Sequence, residues 1–251
     1  MRLYLASTSP ARRSLLAQSG IEPVLVAPGV DEDAAAADAE ATLGRALSGP
    51  ELVSLLALAK AHAVADRSVA GHPVDGLVFG GDSAFEVAGR LYGKPHDPAV
   101  ARARWREMLA AGSGVLWSGH CVVDRRRDRV APNGAEVRVP PAAPSSSGRE
   151  LRCGPLLGAD GLEVRGDHVV AVDSARLTFA EDMDPDEIDA YVATDEPLEV
   201  AGAFTIDGRA AAYISRIDGA PSAVVGLSLP MLRRMLRVGF DVTWHDLWST
   251  L

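Results

Sequence analysis

The first twenty residues, MRLYLASTSPARRSLLAQSG (1–20), contain the pattern that decides the fold. Residues 3–6 form a short apolar run that predicts a strand. Ser9 followed by Pro10 is typical of a helix N-cap and first helical position, and Gly20 is placed to end that helix. A strand that leads directly into a helix predicts an α/β protein.

Two arginines follow in the first turn of this predicted helix. A cation near a helix N-terminus is disfavoured by about 0.3–1 kcal/mol, because the backbone dipole is positive there. Arg12 and Arg13 become favourable when a polyphosphate lies between them and the free amide groups of the helix. The alternative is that either side chain points into solvent and merely tolerates its position. The stretch therefore predicts a phosphate site at the start of the helix.

Helix-like and strand-like patterns alternate along the rest of the chain. Caps and helical spacing predict helices in residues 51–68, 97–114, 184–194 and 229–239. Extended runs predict strands in residues 22–29, 75–82, 115–124, 169–181, 202–207 and 211–218. We expect the first of these strands to run into an acidic loop and the second to end at Asp82. The alternation predicts a mixed sheet flanked by helices.

Residues 126–168 differ in character from the rest of the sequence. They are rich in Pro, Ser, Gly and Arg, a composition that favours a long excursion with little regular structure. The favoured interpretation is a solvated loop without catalytic consequence.

Composition limits the classes of function. A chain of 251 residues that is 47% hydrophobic is long enough for a buried core, and its net charge of −9 argues against broad nucleic-acid binding. Met1 lies almost directly before a strand, and the sequence has no apolar run of membrane-spanning length, so we expect neither a signal peptide nor a membrane partner. Cys121 and Cys153 lack disulfide-framework or metal spacing, which suits a reducing cytoplasm.

Common phosphate and catalytic motifs are missing from the sequence. It contains no G-x-x-x-x-G-K-[ST] loop, no G-x-G-x-x-G after a strand and no G-x-S-x-G elbow, and its six histidines form no pair at metal-ligand spacing. What remains is a set of polar residues at or near the ends of predicted elements, where ligand sites of α/β folds gather. These are Ser7, Ser9, Arg12, Arg13, Asp31, Glu32, Lys60, Asp82 and Lys94.

Hydroxyls and cations suit a phosphate chain, whereas carboxylates suit Mg²⁺ or a base that activates water. Only two of the 25 basic residues, Lys60 and Lys94, are lysines. A compact ammonium fits tight phosphate sites that exclude a planar guanidinium, although chance survival is the alternative for either lysine. For Asp82 the alternative is a capping carboxylate at a strand end.

Several motifs, in order, resemble the Maf family of nucleoside triphosphate pyrophosphatases, also called septum-formation-inhibitor-like proteins. SerThrSerPro followed by AlaArgArgSerLeuLeu is similar to the family's Ser-x-Ser-Pro-Arg-Arg-x-x-Leu-Leu. Gly80-Gly81-Asp82-Ser83 stands for Gly-Ala-Asp-Thr, Gly93-Lys94-Pro95 for Gly-Lys-Pro, and Lys60 for the helix lysine. The late signatures DEPLEVAGAFTIDG and RIDGAPSAVVGLSLPML are also present.

The resemblance implies a single domain over residues 1–251, with two lobes around a central cleft, related to inosine triphosphate pyrophosphatases. It implies hydrolysis of a nucleoside triphosphate to the monophosphate and pyrophosphate, dependence on Mg²⁺ or Mn²⁺, and a homodimer. The biological purpose it suggests is clearance of non-standard nucleotides or a link to cell-division arrest.

Site roles also follow from the resemblance. Asp82 is expected to be the catalytic carboxylate and Glu32 the second one, and both are expected to bind the metal. Ser7, Arg12 and Lys60 are expected to contact the phosphates, with Lys94 beside them. Ser9 and Arg13 at the helix start, together with Asp207, are also expected to bind the substrate.

Three features depart from the family pattern. Ala11 replaces the first family arginine, so only Arg12 matches in register. Asp207 replaces the usual glutamine of Gly-Ile-Gln-Gly, which puts base preference in question; a structural role in the Gly208-Arg209 turn is the alternative. The inserted segment at 126–168 has no family counterpart that the motifs place.

The mechanism expected from these residues is direct attack of water at the α-phosphorus, with Asp82 helped by Glu32 and a divalent cation. Lys60, Lys94 and Arg12 neutralise the developing charge. Two other functions compete with it. One is a non-catalytic nucleotide sensor that regulates septum formation through protein partners, and the other is a phosphatase that releases orthophosphate.

Overall fold

The computed structural model describes residues 1–127 and 161–249. The strands are β1 (Leu3–Ala6), β2 (Val24–Leu25), β3 (Ser68–Val69), β4 (His72–Pro73), β5 (Leu77–Val87), β6 (Arg90–Tyr92), β7 (Ser113–Asp124), β8 (Leu162–Arg165), β9 (His168–Phe179) and β10 (Ile214–Gly219). The helices are α1 (Pro10–Gln18), α2 (Glu32–Leu43), α3 (Gly49–Ala65), α4 (Pro98–Ala111), α5 (Pro185–Val192), α6 (Pro221–Val224) and α7 (Leu229–Phe240). Within these described residues, three 3₁₀ helices lie at Ala201–Ala203, Arg209–Tyr213 and Trp244–Leu247.

The described strands form one eight-stranded mixed sheet and a small β3–β4 hairpin. The order is β10-β9-β7-β5-β1-β2, with β6 added to β5 and β8 added to β9. β1 runs parallel to β2 and β5, and the other pairs in the large sheet are antiparallel. The expected mixed sheet flanked by helices is confirmed.

Strand β5 is long and changes neighbours along one edge. β1 pairs with it at residues 77–80, and β6 pairs with it at residues 85–87. Among the described strands, none pairs with residues 81–84 on that edge. The chain leaving β1 turns into α1 at this gap, which brings the first turn of α1 beside Asp82.

Helix α3 lies against the sheet at two glycines. A Cβ at Gly80 would lie 2.5 Å from the backbone nitrogen of Ala61, and a Cβ at Gly119 would overlap the carbonyl group of Val53. Real Cβ contacts essentially never fall below 3.0 Å, so only glycine allows this approach. The close packing carries Lys60 of α3 to the sheet.

Two apolar clusters occupy opposite faces of the central strands. One contains Leu5, Phe79 and Val122 with α7, and the other contains Val78 and Cys121 with α3. A third cluster surrounds the buried side chain of Trp105, farther along the sheet. Among the described residues, no helix is both long and apolar enough to cross a bilayer.

The prediction that the second strand ends at Asp82 is wrong. Asp82 lies in the middle of β5, because β7 pairs with β5 from Leu77 to Glu86. The glycines before Asp82 indicated a strand end, but Gly80 is small to admit α3 rather than to make a turn.

The predicted acidic loop around Glu32 is also wrong. Glu32 is the first residue of α2, and Asp31 is the N-cap whose side chain accepts a hydrogen bond from the Ala34 amide at 3.0 Å. Acidic residues in the first turn favour a helix start, because they complement the helix dipole.

Two further predictions need correction. Residues 202–207 do not form a strand, because Gly202 adopts a φ of 81° within a 3₁₀ helix, and residues 209–213 form another 3₁₀ helix before β10. Within the segment 126–168, predicted to be irregular, residues 162–165 form β8 and pair with the start of β9. The alternation of apolar residues in β8 and the turn at Gly166, with a φ of 59°, explain this hairpin. Residues 128–160 lie outside the described part of the chain.

Candidate active site

A lysine bridges two carboxylates at the gap beside β5. Nζ of Lys60 lies 2.7 Å from Oδ1 of Asp82 and 2.8 Å from Oε1 of Glu32. Lys60 and Asp82 are buried, whereas the side chain of Glu32 is 49% exposed. The structure thus brings together three of the predicted site residues, from α2, α3 and β5.

Burial determines the acidity of Asp82. Its pKa is raised above the ordinary value because desolvation disfavours the carboxylate, and the ammonium of Lys60 opposes that effect. A carboxylate with a raised pKa is a stronger base than an exposed one. Greater basicity is what the expected role of Asp82, abstraction of a proton from water, requires.

Arg12 reaches the same gap from the first turn of α1. Its Nε donates to the carbonyl of Gly226 at 2.8 Å, Nη1 to Ser7 Oγ at 3.3 Å, and Nη2 to Ser83 Oγ at 3.1 Å. A guanidinium has five N–H groups, so within the described residues one remains on Nη1 and one on Nη2. Burial lowers the pKa of Arg12, against the opposing fields of Asp82 and Glu32.

The bend into α1 is held by its two serines. Ser9 caps the helix by accepting from the Arg12 amide, and Ser7 accepts from the Ser9 amide at 3.1 Å. Arg13, unlike Arg12, is exposed and lines a pocket of about 430 Å³ with Ser7, Ser9 and Leu25. The two arginines therefore point to different places, so Arg13 does not replace the missing family arginine at Ala11 within the buried group.

Lys94 stands apart from the buried group. Its side chain is 53% exposed and Nζ lies 3.6 Å from Oε2 of Glu199, a residue that His96 also contacts through Nδ1 at 3.0 Å. The His96 amide donates to the carbonyl of Leu198 at 3.0 Å, which fixes this loop against the chain near residue 199. The structure does not bring Lys94 to Asp82.

Asp207 is exposed. Arg209, the partner that a structural role of Asp207 in this turn would use, binds Glu196 instead. Arg209 donates its amide to Oε1 of Glu196 at 2.9 Å, and its Nη1 lies 3.3 Å from Oε2. Glu196 also accepts from Thr205 at 2.8 Å and Tyr191 at 3.1 Å. Asp207 therefore does not pair with Arg209, and Glu196 organises this turn. Sequence reasoning missed Glu196, although it lies inside the DEPLEVAGAFTIDG signature.

The carboxylates of this site suit a divalent cation only if substrate oxygens supply further ligands. Among the residues described, no group of three or more His, Cys, Asp or Glu side chains could hold a metal. The site has two carboxylates, Glu32 and Asp82, and both contact the ammonium of Lys60. Mg²⁺ is typically bound by one or two carboxylates together with substrate phosphates and water, so this pair fits that kind of site.

The sequence is similar to known proteins over nearly its whole length. The family model described as "Maf-like protein" matches residues 2–144 and 154–238, which leaves residues 145–153 between the two matched ranges. A protein of Leifsonia xyli subsp. xyli named nucleoside triphosphate pyrophosphatase is 46% identical over 249 residues, covering 99% of this chain and 97% of that protein.

Two more relatives carry the same name. The protein of Salinispora tropica is 41% identical over 250 residues, covering 99% of this chain and 88% of the relative. The protein of Streptomyces coelicolor is 41% identical over 250 residues, covering 99% and 95% respectively. The segment 126–168 therefore lies within the length that this chain shares with its relatives.

Proposed function

The chain belongs to the Maf family, and from this premise we propose that it is a nucleoside triphosphate pyrophosphatase acting through the Asp82–Lys60–Glu32 group and Arg12. The reaction cleaves the bond between the α and β phosphates and gives a nucleoside monophosphate and pyrophosphate. The observation that carries the proposal is the buried Lys60 bridging two carboxylates beside the guanidinium of Arg12.

Asp82 is proposed to remove the proton from the attacking water. Its carboxylate is buried against Lys60 and belongs to the part of β5, residues 81–84, that no described strand pairs with on the β1 side. Water attacks the α-phosphorus as its proton passes to Asp82, and the bond to the β-phosphate oxygen breaks to release pyrophosphate. The raised pKa of Asp82 improves the match between this base and its task.

Arg12 and Lys60 are proposed to hold the phosphates. The remaining N–H groups of Nη1 and Nη2 suit two oxygens of one phosphate group, and three protein contacts already fix the guanidinium plane. Lys60 supplies a point charge beside the scissile bond. Because these cations are held before substrate arrives, they lower the barrier without a large reorganisation cost.

Glu32 and Asp82 would hold Mg²⁺ or Mn²⁺ together with the substrate phosphates. Such a cation, when bound, supplies charge neutralisation on the phosphoryl oxygens. Lys60 already lies between the two carboxylates, so it keeps them close to each other before a cation and substrate bind.

The two lysines are expected to differ in their sensitivity to arginine. Lys60→Arg should lower kcat/KM by about 10–100-fold, because a planar guanidinium does not fit a buried ammonium site between two carboxylates. Lys94→Arg should lower it by only about 3–10-fold, because Lys94 is exposed and pairs with Glu199 rather than with the buried carboxylates. Steady-state kinetics of both variants, with thermal melts as a folding control, check this. Equal losses at the two positions would contradict the distinction between buried and exposed sites.

Asp207 offers a test of base preference. An ionised aspartate only accepts hydrogen bonds, whereas glutamine also donates. If Asp207 faces the base, Asp207→Gln should change relative kcat/KM among nucleotides by about 1–3 kcal/mol, with less effect on maximal rate. Kinetics with five nucleoside triphosphates on both proteins measure the ranking. An unchanged ranking would assign base selection to other residues.

A panel of common and modified nucleoside triphosphates, with pyrophosphate detection, tests the proposed function. We expect pyrophosphate from at least one of them in the presence of Mg²⁺ or Mn²⁺. Tight nucleotide binding without turnover would favour the nucleotide-sensing regulator instead, and orthophosphate release would favour a phosphatase. The panel would also test the suggested role in clearing non-standard nucleotides. The proposal further includes a link to cell-division arrest, a cytoplasmic location and a homodimer.

A further inference from the structure

A strip of polar side chains lies on the sheet face opposite α3. Ser83 of β5 faces Ser118 of β7 in the strand register, and Gly81 faces His120. Ser118 and His120 are completely buried, and apolar clusters flank them. Buried polar groups are costly unless they are hydrogen-bonded, so their partners show what the strip does.

Both buried side chains of β7 bind the segment 221–228, which comprises α6 and the turn into α7. Ser118 Oγ donates to the carbonyl of Ala223 at 2.7 Å, and the Ser228 amide donates to Nε2 of His120 at 2.9 Å. Burial lowers the pKa of His120 to about 4, so the ring is neutral near pH 7 and Nε2 is free to accept. The segment is thus attached to the sheet near both of its ends.

Between these two attachments the segment folds back on itself and presents one carbonyl to Arg12. The Gly226 amide donates to Ala223 at 2.8 Å, and the Gly226 carbonyl accepts from Nε of Arg12 at 2.8 Å. Gly226 has a φ of 95°, and a Cβ there would lie 2.8 Å from Ser83 Oγ and 3.1 Å from Nη2 of Arg12. The segment therefore contacts Arg12 as closely as its backbone allows.

We propose that Ser118 and His120 are positioning residues that act through the segment 221–228 to orient the Arg12 guanidinium toward the substrate phosphates. This inference rests on the proposed role of Arg12 in phosphate binding. Ser7 and Ser83 hold the terminal nitrogens of Arg12, and Gly226 holds Nε, so the direction of the two remaining N–H groups depends on where Gly226 lies. Neither β7 residue contacts Arg12 directly, which makes their effect on phosphate binding indirect.

A double-mutant cycle with inorganic tripolyphosphate as the probe tests the proposal. His120→Leu removes the acceptor for Ser228 and should weaken tripolyphosphate binding, measured by calorimetry on the full chain, about 10-fold. His120→Gln, whose amide oxygen can accept the same hydrogen bond, should restore most of the affinity. In an Arg12→Met background, His120→Leu should change the affinity less than twofold, because its route to the ligand is gone.

Matched controls separate positioning from general damage to the fold. Val123→Ala alters another fully buried residue of β7 on the face toward α3, and should lower the melting temperature without coupling to Arg12. Ser118→Ala gives a second, milder test of the segment 221–228 should His120→Leu fail to fold.

Equal losses of affinity on His120→Leu in the wild-type and Arg12→Met backgrounds would overturn the inference. Unchanged affinity in the His120→Leu and Ser118→Ala variants would also overturn it, as would a wild-type chain that binds no tripolyphosphate. Coupled binding in a protein that produces no pyrophosphate from nucleoside triphosphates would instead refute the proposed function alone.

Discussion

Asp82→Asn is expected to lower turnover about 10²–10⁴-fold while the protein stays folded, because the amide keeps the shape of the side chain but cannot take a proton. Lys60 retains Glu32 as a partner at 2.8 Å, so the substitution leaves no isolated buried ammonium. Steady-state kinetics and thermal melts of the same preparations measure both effects. Retention of more than a tenth of wild-type activity would remove Asp82 from the role of base.

The raised pKa of Asp82 also predicts how stability and activity change with pH. Burial raises the folded-state pKa of Asp82, so ionisation of this side chain lowers the free energy of unfolding. The protonated side chain carries no such cost, and this advantage is lost as pH rises through the raised pKa. Asp82→Asn should therefore melt at the same temperature as wild type or higher at neutral pH. Wild-type kcat/KM should rise as pH increases through the same pKa, and the variant should lack this limb.

Asp124→Asn is the matched control for that experiment. Asp124 is another buried carboxylate, paired with Nη2 of Arg126 at 2.8 Å and outside the site group. Its replacement leaves the partly buried guanidinium of Arg126 less well satisfied, so stability should fall while turnover is kept. The two carboxylates are thus expected to show opposite patterns of activity and stability.

Gly119→Ala is expected to destabilise the protein by about 3 kcal/mol, near the upper end of ordinary overpacking effects. The added methyl would overlap the carbonyl group of Val53, and backbone cannot move aside as a side-chain tip can. Helix α3 would have to lift from the sheet and would draw Lys60 away from Asp82. Thermal or denaturant unfolding measures the loss, and kcat/KM should fall with it.

Gly93→Ala serves as the comparison. A Cβ at Gly93 meets no atom within 4 Å among the described residues, so its melting temperature should stay close to that of wild type. A Gly119→Ala protein as stable as Gly93→Ala would show that α3 does not pack as closely as described.

Local sequence patterns correctly predicted the first strand and the first helix of the chain. The apolar residues 3–6, the Ser9 cap and Pro10 predict β1 and α1, and both form. The position of Arg12 in the first turn indicated a phosphate site, because a cation there destabilises the helix when no phosphate is bound. In the structure that cost is offset by three hydrogen bonds from the guanidinium.

Other features of the site depend on contacts that a local pattern does not contain. The Gly80-Gly81 pair suggested a strand end, but only the position of α3 explains why Gly80 must be small. Arg12 and Gly226 are separated by 214 residues in sequence and meet through a loop attached to β7. Lys94 and Lys60 had equal weight as rare lysines, and only the fold separates one exposed residue from one buried one.

Isotopic tracing of the hydrolysis products tests the central claim most directly. The purified chain is incubated with a nucleoside triphosphate and Mg²⁺ in water enriched in ¹⁸O, and the products are identified by phosphorus NMR and mass spectrometry. The account predicts equal amounts of monophosphate and pyrophosphate, with one ¹⁸O atom in the monophosphate and none in pyrophosphate, because water attacks the α-phosphorus. Label in pyrophosphate, or release of orthophosphate with a nucleoside diphosphate, would contradict it.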